Sequence, residues 1–172
     1  MTGEGHAATV DERSESRKGA FQMARWGVAL NSGGSSVKSV GLAVAAASSP
    51  RRAKIQDWKF GSSQSPADNE FVHIIQLCTT TGTGTAKTPV ASDQADTLAS
   101  TIVVKDTITA DPTLTSGSFY ANIALNQRAS FRWVAAPFFE LIIPATASNG
   151  YIFGVSAATT NTFAEDILYE EL

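Results

Sequence analysis

The chain reads as all-β, an antiparallel β-sandwich with an extended N-terminal arm, and three observations say so. Apolar and aromatic residues fall in about ten short runs parted by Gly, Pro, Asn and Ser turns, and no stretch keeps a helical period over three turns. Small residues dominate: 26 Ala, 18 Ser and 18 Thr, beside 2 Met and 3 Trp, suit narrow sheets and close lateral contacts. Charged residues make up 17% of the 172, against about 25% in an average domain. That excludes a chain held open by charge repulsion, and a coiled coil, which needs Glu, Lys and Leu. The length suits one domain over residues 21–172 with an arm over residues 1–20.

The elements follow in order. Residues 1–19, MTGEGHAATVDERSESRKG, are small, polar and charged with neither period 2 nor period 3.6, so they read as the arm. Residues 22–30 are apolar-rich and end at Asn31-Ser-Gly-Gly-Ser, a turn. Over 37–47, Val40, Leu42, Val44 and Ala46 share one face at period 2; the alanines favour a helix, but Gly41 and Ser48-Ser49-Pro50 oppose it. Ala53, Ile55, Asp57 and Lys59 then alternate with Lys54, Gln56, Trp58 and Phe60, before a loop over 61–66. Residues 71–79, FVHIIQLCT, make a short strand rich in β-branched and aromatic side chains. Residues 79–97, TTTGTGTAKTPVASDQADT, lack a periodic core and read as a long surface loop. Strands follow over 101–108, 118–125, 129–135, 138–143, 151–157 and 165–169. Many short strands make a sandwich or barrel, and eight core strands suit a jelly roll.

The chain offers little reactive chemistry. A single cysteine, Cys78, leaves no disulfide framework within the chain and no cysteine-based zinc site. The histidines are His6 in the arm and His73 in a strand, too few for the clustered ligands of a metal-binding cupin. His73 and Cys78 are five apart, so a strand points them to opposite faces; Cys78 reads as a small core residue and His73 as a partly exposed neighbour. Residues 82–88, GTGTAKT, resemble a phosphate loop, but Ala86 replaces the required glycine and no helix follows. The carboxylate pairs Asp93/Asp96, Glu165/Asp166 and Glu170/Glu171 lack the aromatic surroundings of a sugar cleft, and Asp93 with Asp96 matches no calcium-loop spacing. The expectation is a protein that is not an enzyme and holds no cofactor or metal. No apolar run nears the roughly 20 residues that span a bilayer, so no membrane partner is expected, and the polar start has no signal-peptide pattern.

Charge is uneven. Residues 1–59 hold 9 bases and 5 acids, and residues 60–172 hold 4 bases and 11 acids, with Arg132 the last base. This is either scatter or a two-sided molecule suited to docking on another protein. Arg51, Arg52 and Lys54 with Trp58 and Phe60 form a basic and aromatic ridge, but a net charge of −3 opposes nucleic acid as its partner. An acidic neighbour, or simply solvent, fits it better. Phe131, Trp133, Phe138 and Phe139 cluster around Pro137 and read first as core, with a subunit interface as the other reading. The candidate interface residues are therefore Arg51, Arg52, Lys54, Trp58, Trp133 and Phe138.

One order of patterns carries a resemblance. A strand ending at Trp58 to Gly61 is followed by an apolar strand into TTTGTGTAKTPVASDQADT, then RASFRWVAAP, PFFELIIPATASNGYIFGV and the terminal AEDILYEEL. Over roughly residues 25–172 this resembles small jelly-roll structural proteins of tailed bacteriophages, among them head decoration (cement) proteins. The resemblance implies a virion protein on the outer capsid surface, bound to the major capsid protein, self-associating as a homotrimer and stabilising the shell without an active site. The arm departs from the family's usual start and would act as a bridge between neighbours. Two other readings remain: a tail, neck or fibre component of the virion, and a carbohydrate-binding jelly-roll lectin, marked by a ridge of exposed Trp or Tyr beside Asp or Asn.

Overall fold

The structure, a computed structural model, describes residues 24–32, 35–63, 68–95 and 98–172. The expected arm over 1–20, with His6, lies outside the described residues. Among these residues the chain has twelve strands and no helix: β1 (Arg25–Asn31), β2 (Val37–Ala45), β3 (Ala53–Ser62), β4 (Glu70–Cys78), β5 (Thr83–Lys87), β6 (Val90–Ala91), β7 (Ile102–Ala110), β8 (Leu114–Asn126), β9 (Phe131–Val134), β10 (Leu141–Ile143), β11 (Gly150–Thr159) and β12 (Phe163–Glu171). They form two antiparallel sheets packed as a sandwich. One has the order β10-β3-β12-β1-β6 with β9 also on β3, and the other the order β5-β7-β2-β11-β4-β8. Strands β1 to β4 alternate between the sheets, so neighbours in space are distant in sequence: β1 pairs β12 from Arg25↔Glu170 to Asn31↔Ala164.

Two segments differ from what the sequence pattern predicts. The long loop over 79–97 contains strands, because β5 pairs with β7 and Lys87 Nζ meets the buried Asp106 carboxylate at 3.0 Å. A cross-strand ion pair and a ladder substitute for the missing apolar period. The strand expected over 138–143 shrinks to β10, since residues 136–139 form a turn in which the Phe139 N–H donates to the Ala136 carbonyl at 2.9 Å.

The main core lies between the sheets. Trp26, Leu30, Ile55, Trp58, Phe60 and Tyr169 from one sheet meet Ala43, Ile75 and Phe153 from the other, with Trp26 stacked on Tyr169 at 5.8 Å. A second cluster joins Leu42, Val44, Ile74, Cys78, Ile108 and Ile152. These alternate along β2, β4 and β11 with members of the main core, so they occupy the other face of the second sheet. Both faces of its central strands are therefore buried, and each fully buried side chain contributes about 1.5–3 kcal/mol. The close approach of β11 to β2 demands Gly154, where a Cβ would sit 2.1 Å from the Lys38 carbonyl oxygen. The buried Glu171 carboxylate joins the chain end to the start of β7. It accepts from Ser100 Oγ (2.5 Å), Thr101 N (2.7 Å), Thr101 Oγ1 (2.6 Å) and Ile102 N (3.2 Å).

Candidate interaction surface

The structure divides the six candidate residues. Arg51 and Arg52 are exposed on the turn into β3, and Lys54 is half-buried opposite Glu170 on β12. Trp58 is fully buried, which corrects its place in the basic ridge. The cause is a β-bulge. Leu168 pairs with Asp57 while Tyr169 pairs with Ile55, leaving Gln56 as the extra residue. A bulge reverses the alternation of faces. Lys54 and Trp58, both at even positions, thus point to opposite sides of the sheet.

Behind Trp58 lies a buried carboxyl. Trp58 Nε1 donates to Glu165 Oε2 at 2.9 Å, while Glu165 Oε1 has no hydrogen-bond partner. Burial pushes the Glu165 carboxyl up to about 8 against the lowering effect of the indole donor, so it is largely neutral at pH 7. His73 is also buried, not partly exposed as the sequence suggests: its ring stacks on Phe60 at 4.0 Å and meets the edge of Phe163 at 5.4 Å. Burial pushes it down to about 4. Cys78 is a core residue whose thiol is pushed up to about 12 by burial. The carboxylate pairs on β12 do not share a cleft. Glu165 faces the core and Asp166 solvent; Glu170 meets Gln56 Nε2 at 2.7 Å, while Glu171 binds the start of β7. Asp93 closes a local turn by accepting from Ala95 N at 2.9 Å, and Asp96 lies outside the described residues.

The aromatic cluster is where the surface becomes unusual. Trp133 is half-buried against the main core and meets Tyr120 edge-on at 5.6 Å. Phe138 and Phe139 are 96% and 70% exposed, which overturns their reading as core. Phe131, Val134, Phe119 and Tyr120 are exposed beside them. The edges of the two sheets meet here: β8 ends one sheet, β9 and β10 lie on the edge of the other, and Tyr120 Oη donates to the Phe139 carbonyl at 3.3 Å. Arg132 fixes β9 to β3 by gripping the buried Asp57 carboxylate with Nε (2.9 Å) and Nη2 (2.5 Å).

The turn itself is strained. With Pro137 second, Phe138 third at φ 72° and the closing bond from Phe139 N to Ala136 O, it has the signature of a type II turn. That third position favours glycine, and a left-handed backbone costs an L-residue about 1–2 kcal/mol. Here it carries a phenylalanine with almost its whole ring in water. Backbone strain at a residue that presents an exposed apolar side chain points to use of that side chain.

Phe119 and Tyr120 were not singled out by sequence. Two adjacent aromatics break the alternation of a strand, and β8 does bulge there, since Ile75 pairs with Ala121 and Gln76 with Phe119. Of the three Trp and three Tyr, Tyr120 alone is exposed. Among the described residues no three or more His, Cys, Asp or Glu side chains gather where they could hold a metal ion. Comparison with protein-family models, with curated proteins and with solved structures returns no match to this chain.

Proposed function

We propose that this chain is a structural protein that works by contact: a capsid decoration protein of a tailed bacteriophage, binding the outer head surface and stabilising the shell. The observation that supports contact is the aromatic edge, above all Phe138, held in a strained turn with its ring 96% exposed. Exposed aromatics that would be buried by a partner are the usual anchors of protein interfaces. The phage assignment rests on the resemblance in strand and loop order over residues 25–172, and on the same ground we read the sandwich as a jelly roll. The partner is the major capsid protein. A protein that binds only the assembled shell favours it over the dissociated one by mass action, and repeated copies multiply weak contacts by avidity. Reconstruction of intact particles carrying this chain tests the reading. Density for the sandwich on the outer head is expected; its absence from the outer head overturns the proposal. Density on the tail axis would make the chain a tail or neck component.

A further inference from the structure

The sandwich treats its edges unequally. Strands β5, β6, β9 and β10, on or beside the other edges, have 5, 2, 4 and 3 residues, and β5 carries Lys87. Short edges and edge lysines keep sheets from joining one another. Strand β8 has neither protection. It runs 13 residues as LTSGSFYANIALN, with no charge and no proline, and has β4 on one side and no strand on the other among the described residues. Its bulge lies at Tyr120, so residues 121–126 remain regularly paired with β4 and offer a straight outer edge.

We propose that this edge binds a second copy of the same chain: two β8 strands pair antiparallel about a twofold axis, burying Phe119 and Phe138 between the copies. The proposal rests on the contact reading above and narrows it: the aromatic edge is given to self-association, as a twofold dimer in place of the homotrimer that the resemblance implies, and the capsid contact falls to another face.

Charge disfavours a charged occupant and makes this edge the place where two copies can meet. Each chain carries a net charge of −3, so two copies repel over most approaches. The β8 edge is where they do not. The strand is neutral, the Arg128–Asp68 pair at its end is internally balanced at 2.8 Å, and Arg132 is matched by Asp57. Opposed to itself, β8 sets no charge against another charge, whereas a charged partner strand would lose hydration of its ions without compensation. The side chains facing out beyond the bulge include Asn122 and Ala124, small enough for a neighbouring strand to lie close. The Phe138 turn stands at the same edge through the Tyr120–Phe139 contact. Pairing of this kind extends the six-stranded sheet across the axis into one of twice the width.

The test uses the purified full chain and two variants, measured by sedimentation velocity over the micromolar range. Phe138→Gly places glycine where the turn favours it, so its thermal midpoint is expected at or above the wild-type value while the dimer dissociates at least tenfold more readily. Asn122→Lys with Ala124→Lys puts charge on two exposed positions of β8 and is expected to give a folded monomer. A wild-type monomer throughout the range, a trimer, or a dimer unaffected by both variants overturns the proposal. Shared loss of dimer and fold in the lysine variant would leave Phe138→Gly to decide, since its turn is relieved rather than disrupted. None of these outcomes depends on whether particles carry the chain on their heads.

Discussion

Replacing Glu165 by glutamine should stabilise the protein at neutral pH. The carboxyl lies in the core, donor-bonded by Trp58 on one oxygen and unpartnered on the other. Its ordinary value of 4.5 is pushed up to about 8 by burial. The folded chain therefore keeps a proton that the unfolded chain releases above 4.5. Stability from this group is complete below 4.5, falls as pH rises from 4.5 to about 8, and is level beyond. With about 1.4 kcal/mol per pH unit, the loss at pH 7 is about 3 kcal/mol. Glutamine has nearly the same shape, offers Trp58 Nε1 an acceptor oxygen and cannot ionise. Glu165→Gln should gain about 3 kcal/mol at pH 7, equivalent to roughly 6–12 °C in Tm for a chain of this size. The gain should vanish near pH 4.5. Urea unfolding followed by tryptophan fluorescence at pH 4.5, 5.5, 7 and 8.5 measures it, because Trp26 and Trp58 are buried and report on the core. Equal stability of variant and wild type at pH 7, with parallel pH profiles, would refute the reasoning.

Two further outcomes follow from buried polar groups. His73, pushed down to about 4 from 6.5, is neutral in the fold, so its stability is complete above 6.5 and is lost as pH falls from 6.5 to about 4. Between 4.5 and 6.5 the slopes from His73 and Glu165 oppose and cancel; His73→Phe, which keeps a flat ring against Phe60, should unmask a decline with rising pH there, measurable in the same urea series. Glu171→Ala should cost about 2–4 kcal/mol in chemical denaturation, since it leaves the Thr101 and Ile102 N–H groups without their carboxylate acceptor, while Glu171→Gln should recover part of that loss.

How much of this was legible in the sequence differs from feature to feature. The strands whose apolar residues alternate, such as β7 with Ile102 and Val104 buried in the main core, are readable because one buried face imposes period 2 on the chain. Strand β5 was not, because TGTAK has no apolar period and is held by its ladder and by Lys87 on Asp106. The candidate surface was half legible. Phe138 stood out as an aromatic beside a proline, but Trp58 was placed on the surface by an alternation that the Gln56 bulge reverses.

Small residues, short apolar runs and frequent turns are enough to make the chain all-β, as a sandwich or a barrel. The absence of charge on β8 is likewise a property of composition alone. Which of the aromatics are core and which are surface was settled by packing between the sheets. Burial depends on what lies across the sandwich, and the partners of Trp58, Glu165 and His73 come from strands far away in the chain. The exposure of Phe138 was likewise settled by a neighbouring edge, a product of long-range strand pairing that no local pattern encodes, although the Pro137 turn that presents it is local.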